Sequence, residues 1–146
     1  GASSRLFSVV REQQGLAYSI GGRYEGGRSI GAFTINAGTT PERMGTTLEA
    51  IKSVLDGFPE SITDEEVTRI RTQVRSGALM QLEHGPARAR RLAIDHFRRG
   101  SAQSMAEMLE AYDAVDSNEV REVATRWMDE AWRANRTQSL VGPVQP

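Results

Sequence analysis

The order of two hydrophobic periodicities is the feature that most constrains the fold of this 146-residue chain. After a short helical stretch, the two-residue alternation typical of strands is confined to residues 16–37, and apolar residues then recur at the helical interval. Strands that precede a run of helices favour an α+β fold, with antiparallel strands packed against several helices. The sequence contains no internal repeat, low-complexity segment or linker, so it predicts a single domain over residues 1–146.

The first part of the chain predicts a helix followed by a β-hairpin. The helix is expected to begin near Ser4 and to end at Gly15, because glycine tolerates the backbone conformation that terminates helices. A strand follows, on which one face is expected to carry Leu16, Tyr18 and Ile20. The pair Gly26-Gly27 is expected to turn the chain into a second strand. One face of that strand is expected to carry Phe33, Ile35 and Ala37.

Capping residues mark the starts of the later helices. A polar cap followed three residues on by glutamate, or by proline at the first helical position, satisfies the free N–H groups of a first turn. Such signals occur at residues 40–42, 63–66, 104–107 and 116–119. Gly85-Pro86 is expected to break or kink the long helix that begins near residue 63, because proline lacks an N–H donor. The next helix is expected to close at Gly100, and residues 139–143 are compatible with one short strand.

The apolar stripes predict which helix faces are buried. For the helices in chain order, the core residues are expected to be Leu48, Ile51, Val54 and Leu55; Val67, Ile70, Val74, Ala78 and Leu82; Ala89, Leu92, Ala93, His96 and Phe97; Met105, Met108, Leu109 and Tyr112; and Val120, Val123, Ala124, Trp127 and Ala131.

Composition and charge narrow the class of function. Eighteen basic and nineteen acidic side chains give a formal charge of -1, so no global field favours nucleic acid or an anionic membrane. The absence of cysteine excludes disulfides, thiolate zinc sites and cysteine nucleophiles within the chain, and leaves both cytosol and periplasm open. No apolar run approaches membrane-spanning length, and the first residues lack the layout of a signal peptide.

Arg11 and Tyr18 are the residues whose chemistry is most informative. They lie seven residues apart on either side of the predicted turn at Gly15. A guanidinium fork and a phenol both donate to oxygen, so the pair can bind a peptide carbonyl or carboxylate. The spacing alone favours the alternative of a solvated helix arginine and a core strand tyrosine.

Other candidate sites have weaker support. His84 and His96 lie twelve residues apart with no third ligand at useful spacing, so a surface histidine and a hydrogen-bonded packing histidine are expected. A cluster of arginines is the only hint of polyanion binding, although it lacks interleaved aromatic residues, and a solvated helix face or intramolecular salt bridges are expected instead. Its members are Arg88, Arg90, Arg91, Arg98 and Arg99.

The segment from Ser4 through Arg11 and Gly15 to Tyr18 resembles a signature of the insulinase/pitrilysin family of zinc metallopeptidases. Further elements occur in the family's order and extend the resemblance over residues 3–143: an Ala-Gly-Thr turn at 37–39, a Pro-Glu helix start, the long helix with arginines, Val-Asp-Ser-Asn-Glu at 115–119 and Val-Gly-Pro at 141–143. Each element is weak alone, and the ordered set is fairly specific.

The resemblance implies that the chain is part of the C-terminal, non-zinc half of such a peptidase. In this family a homologous domain or separate subunit carries an inverted His-x-x-Glu-His zinc motif, which this chain lacks, so zinc is expected in the partner and not here. Arg11 and Tyr18 would then face the metal across a peptide chamber. The arginine would hold a substrate carbonyl or carboxylate, and the tyrosine would stabilise the developing oxyanion. The chain alone is expected to be inactive.

Two other functions remain open at this stage. The family includes members that serve as non-catalytic scaffold or assembly subunits, and this chain is compatible with that role. A polyanion-binding helical module would depend only on the arginine cluster. Retention of both Arg11 and Tyr18 favours the peptidase, because a scaffold has no evident need for the pair.

Overall fold

The computed structural model describes residues 4–82, 84–128, 134 and 136–142. Two compact units are distinguished by their internal contacts. The first comprises the described residues of Gly1–Glu25, Ala32–Ser61 and Glu122–Pro146, and the second those of Gly26–Gly31 and Ile62–Arg121. The fold contains two antiparallel strands and several helices, which confirms the predicted α+β class. The single domain over residues 1–146 stays a prediction.

The elements follow one another largely in the predicted order. A π-helix (Phe7–Gln13) leads into the hairpin of β1 (Ser19–Gly26) and β2 (Gly31–Gly38), in which the Gly27 N–H donates to the Ile30 carbonyl at 2.7 Å. A 3-10 turn (Pro41–Arg43) precedes the helices. These are α1 (Met44–Asp56), α2 (Phe58–Ser61), α3 (Asp64–Leu82), α4 (Gly85–Arg99), α5 (Met105–Ala114) and α6 (Ser117–Arg126).

The core of the first unit joins the π-helix to α1. Both elements contribute buried apolar side chains at helical spacing, and half-buried residues such as Leu16, Ile20 and Ile35 pack around them. The buried cluster consists of Leu6, Val10, Ala17, Ile51 and Leu55. The predicted stripe of α1 is therefore confirmed at Ile51 and Leu55, whereas Leu48 and Val54 are half-buried.

The prediction that Leu16, Tyr18 and Ile20 share one strand face is wrong for Tyr18. β1 begins only at Ser19, and the buried residue before it is Ala17, which is 6% exposed. Tyr18 is 70% exposed. The alternation fails because residues 16–18 belong to the connection that leaves the π-helix, not to the pleated strand. In β2, Ile35 packs against the core, while Phe33 and Ala37 are exposed.

Three predicted helix caps are confirmed by their hydrogen bonds. Thr63 and Glu66 form a reciprocal box with distances of 3.3 and 3.2 Å. The Ser104 N–H donates to the Glu107 carboxylate at 2.7 Å, and the Glu107 N–H donates to the Ser104 hydroxyl at 3.2 Å. The Asp116 carboxylate accepts from two N–H groups of the first turn of α6, at 2.8 and 2.9 Å.

The box at Ser104 predicts a pH dependence of α5. Hydrogen bonds from the Ser104 N–H and, to a smaller extent, its hydroxyl hold the pKa of Glu107 below its ordinary value of 4.5. A carboxyl whose pKa is lower in the folded state stabilises that state above its unfolded pKa, and the effect is lost as pH falls through the folded value. We expect Ser104→Ala to move the pKa part of the way back, and Glu107→Gln to abolish this pH dependence. Carboxyl NMR titration and amide exchange in α5 measure both; an unchanged pKa in Ser104→Ala would contradict the assignment.

Several predicted helix faces need correction, including that of α5, where Tyr112 is 40% exposed. In α3, Val67 is buried, but Ile70 and Val74 are 47% and 36% exposed. In α4, Leu92 is only half-buried, Phe97 is 67% exposed, and His96, expected to be a packing residue, is also exposed.

The inward side of α4 instead includes an ion pair. The Arg91 guanidinium lies 3.2 Å from the Asp95 carboxylate and donates to the Gln103 carbonyl at 3.2 Å. Two opposite charges one turn apart thus lie half-buried on this side, next to the half-buried Ile94. Within the described part of the chain, the buried Arg91 Nε has no hydrogen-bond partner.

The chain end also differs from the prediction. Residues 139–142 do not form a strand, and residue 143 lies outside the described part. In the last helical stripe Ala124 is buried and Val123 is 51% exposed, while Ala131 is outside the described residues. None of the helices in the described part is both long and apolar enough to cross a membrane.

Candidate functional site

Arg11 lies near the end of the π-helix with its side chain exposed to solvent. Its guanidinium carbon lies 4.7 Å from the centroid of the Phe7 ring, one helical turn earlier. Such a cation–π contact restricts the side chain and leaves the N–H donors at the guanidinium edge available to a ligand. The local sequence therefore supplies both the cation and the aromatic surface that orients it.

The predicted helix stop at Gly15 is confirmed. Gly15 has a φ of 62°, in the left-handed region that glycine enters without strain. Its N–H donates to the Arg11 carbonyl at 3.1 Å, and the Leu16 N–H donates to the Val10 carbonyl at 2.9 Å. These bonds end the helix and turn the chain toward β1.

Polar side chains donate hydrogen bonds to the backbone carbonyls of the connection that begins at Gly15. The Arg43 guanidinium donates to the Gly15 carbonyl at 2.8 Å, and the Thr39 hydroxyl donates to the Leu16 carbonyl at 2.6 Å. Thr47 is 2% exposed; its single hydroxyl proton is best placed for the Arg43 carbonyl at 2.8 Å, and its oxygen lies 3.1 Å from the Thr39 hydroxyl. The Gly15 and Leu16 carbonyls are thus hydrogen-bonded to side chains, and the connection is fixed against the start of α1.

Tyr18 is fixed through its backbone while its side chain remains accessible. Its N–H donates to the Gly38 carbonyl at 2.9 Å, which continues the hairpin pairing one residue before β1. Burial of the preceding Ala17 directs the Tyr18 side chain away from the core. Of the two residue-based interpretations, the core tyrosine is therefore wrong, and the structure leaves both Arg11 and Tyr18 exposed on the first unit.

Sequence reasoning missed the supports of this site. Arg43 and Thr47 were not singled out, although they are four residues apart, the spacing at which a threonine hydroxyl bonds back to a helix carbonyl. The available signal was Thr47 itself, a polar residue beside Leu48 and one turn before Ile51 on an apolar stripe.

The remaining candidates do not form a second site. His84 is exposed, as predicted, and precedes α4. Among the described residues there is no group of three or more histidine, aspartate and glutamate side chains arranged to hold a metal ion. In the arginine cluster, only Arg91 is half-buried and ion-paired as expected for an intramolecular salt bridge. Its other members, Arg88, Arg90, Arg98 and Arg99, are exposed.

Comparison with known proteins identifies the family. Residues 1–74 match the family model described as the peptidase M16 inactive domain. An uncharacterized zinc protease of Streptomyces coelicolor is 31% identical over 99% of this chain and 31% of its own length, and one from Rickettsia bellii is 28% identical over 98% of this chain and 34% of its own length. The chain thus spans about one third of the length of the curated relatives it matches.

A solved structure shares the fold. The crystal structure of a conserved protein from Enterococcus faecalis V583 matches with a TM-score of 0.75 at 21% identity, over 86% of this chain and 29% of that one. The family-model match, which covers half of the sequence, confirms the resemblance to insulinase-type peptidases. The chain belongs to the M16 family of zinc metallopeptidases and corresponds to its C-terminal, inactive domain.

Proposed function

We propose that this chain is the substrate-binding half of a zinc metalloendopeptidase and completes the active site of a zinc-bearing homologous domain or subunit. The observation that carries the proposal is the exposure of Tyr18, 70% accessible on a backbone that is hydrogen-bonded on both sides of it. An exposed donor on fixed backbone can be preorganised toward developing negative charge, which is how oxyanion stabilisation works. The family assignment supports a peptide as the substrate.

Arg11 and Tyr18 have distinct roles in this proposal. The Arg11 guanidinium, oriented by Phe7, binds a substrate carbonyl or carboxylate and so sets the position of the peptide. The Tyr18 hydroxyl donates to the oxyanion of the tetrahedral intermediate. A zinc ion bound by the partner domain would supply Lewis-acid activation of water, and no residue of this chain is assigned to hold it. The chain alone is proposed to be inactive, and residues 1–146 to be part of one peptidase domain.

Arg11→Ala in the complete protease is expected to reduce kcat/KM for a quenched peptide by roughly 10- to 100-fold, mainly through KM. The expected loss corresponds to one hydrogen bond from a charged group, about 1.5–3 kcal/mol. Arg11→Lys keeps the charge but lacks the planar fork, so it should recover only part of the loss. Zinc content should be unchanged in both variants.

The control for this experiment is Arg23→Ala, which removes an exposed arginine of β1 whose guanidinium lies 3.3 Å from Glu25. It should leave kcat/KM near the wild-type value. Wild-type turnover in Arg11→Ala and in Tyr18→Phe together would refute the peptidase role and favour the scaffold subunit.

A further inference from the structure

The Tyr18 ring lies directly against the backbone of Gly38, the last residue of β2. A Cβ atom at residue 38 would lie less than 3.0 Å from Cε2 and Cζ of Tyr18, which is too close for a real side chain. It would also lie 2.7 Å from the Ser19 hydroxyl, a short side chain that can rotate away. The ring therefore occupies the space that any side chain at this position would take.

The atoms in this contact are the ones that matter for the proposed chemistry. Cζ is the carbon that bears the hydroxyl, so the contact with Gly38 fixes the position of the atom to which the hydroxyl is bonded. The Gly38 carbonyl accepts the Tyr18 N–H at 2.9 Å, and the same residue thus holds both the backbone and the ring. The next residue, Thr39, donates to the Leu16 carbonyl at 2.6 Å and fixes the chain two residues before Tyr18.

We propose that Gly38 is a positioning residue: its missing side chain lets the Tyr18 ring lie across the end of β2 and sets the direction of the hydroxyl toward substrate. This inference depends on the proposed function for its effect on turnover, but not for its effect on the ring. Gly38 does not have a positive φ, so its requirement here is for space and not for an unusual backbone.

Gly38→Ala in the complete protease is expected to displace the ring and lower kcat by about tenfold, because small misplacements of a reacting group cost one to two orders of magnitude. Gly21→Ala is the matched control. Gly21 lies in β1 of the same hairpin, its φ is also not positive, and an added Cβ there would meet no atom within 4 Å. It should leave kcat and zinc content unchanged.

The position of the ring is measured independently of activity by fluorine NMR of 3-fluorotyrosine placed at residue 18. The signal should shift or broaden in Gly38→Ala and remain unchanged in Gly21→Ala. If Gly38→Ala folds poorly, the substitution is repeated in a Tyr18→Ala background. There the clash with the ring is absent and the Ser19 hydroxyl can rotate away, so the thermal midpoint of the double variant should equal that of Tyr18→Ala alone.

A double-mutant cycle separates positioning from general damage. If Gly38 acts through the Tyr18 hydroxyl, adding Gly38→Ala to Tyr18→Phe should change kcat by less than twofold. An equal loss in both backgrounds, an unshifted fluorine signal, or destabilisation that persists in Tyr18→Ala would overturn the inference. Wild-type turnover in Tyr18→Phe would instead remove the proposed oxyanion role of Tyr18, while the fluorine signal would still decide whether Gly38 positions the ring.

Discussion

Tyr18→Phe in the complete protease is expected to lower kcat for a peptide by about 100-fold or more. Removal of one preorganised oxyanion donor typically costs 10²- to 10³-fold in kcat, because the lost hydrogen bond is strongest in the transition state. KM should change little, since the ground-state carbonyl needs the donor less. The ring itself remains, and the hydroxyl projects from a 70% exposed side chain, so the fold and the zinc content should be unaffected.

Tyr24→Phe provides the matched control for this experiment. Tyr24 is 60% exposed on β1 of the same hairpin, and its ring makes an edge contact with Trp127 at a centroid distance of 5.8 Å. Phenylalanine preserves that ring contact while removing the hydroxyl, so kcat should stay near the wild-type value. Steady-state kinetics with metal analysis distinguishes the outcomes: an equal loss in both variants would indicate a general effect of hairpin hydroxyls, and no loss in Tyr18→Phe would exclude the oxyanion role.

Leu55→Ala is expected to destabilise the first unit by roughly 2–5 kcal/mol, the usual cost of a cavity left by a buried leucine. Leu55 is 4% exposed and belongs to the buried cluster with Leu6, which directly precedes the π-helix, and Val10, which lies within it. Because Arg11 lies near the end of that helix, loss of packing beneath it should loosen the backbone that carries the guanidinium.

Hydrogen exchange on the complete protein measures this effect locally. The Leu16 amide, which is bonded to the Val10 carbonyl, should exchange much faster in Leu55→Ala. Ser53→Ala, an exposed position of α1, is the control and should change stability by less than about 0.5 kcal/mol. Unchanged exchange at Leu16 in Leu55→Ala would show that the π-helix does not depend on α1 for its stability.

The local signals in the sequence predicted the local structure well. Gly15 and Gly100 both have positive φ and end helices, and the boxes begun by Thr63 and Ser104 are formed. These features depend on residues within one or two turns of each other, so their physics is complete in a short stretch of sequence. Family membership was equally accessible, because it depends on the order of several such stretches.

The buried faces were less predictable because they depend on distant partners. Hydrophobic spacing on α4 suggested that His96 and Phe97 point inward, but Arg91 and Asp95 occupy the inner side as an ion pair. A pattern of apolar residues does not predict that a pair of opposite charges will be half-buried. The Gln103 carbonyl that accepts from Arg91 lies in the loop after the helix.

For the candidate site, the sequence by itself determined the chemistry: a guanidinium and a phenol on either side of a glycine that stops a helix. Only the tertiary structure decided that Tyr18 is exposed. Its orientation depends on Ala17, which faces the core, and on Gly38, twenty residues later. The Gly38 carbonyl accepts the Tyr18 N–H, and the absence of a side chain at Gly38 leaves room for the ring. The same holds for Thr39 and Arg43, whose donors meet the Leu16 and Gly15 carbonyls only after the hairpin has returned the chain. Residue types fix which bonds are possible, and folding fixes which groups come within reach of one another.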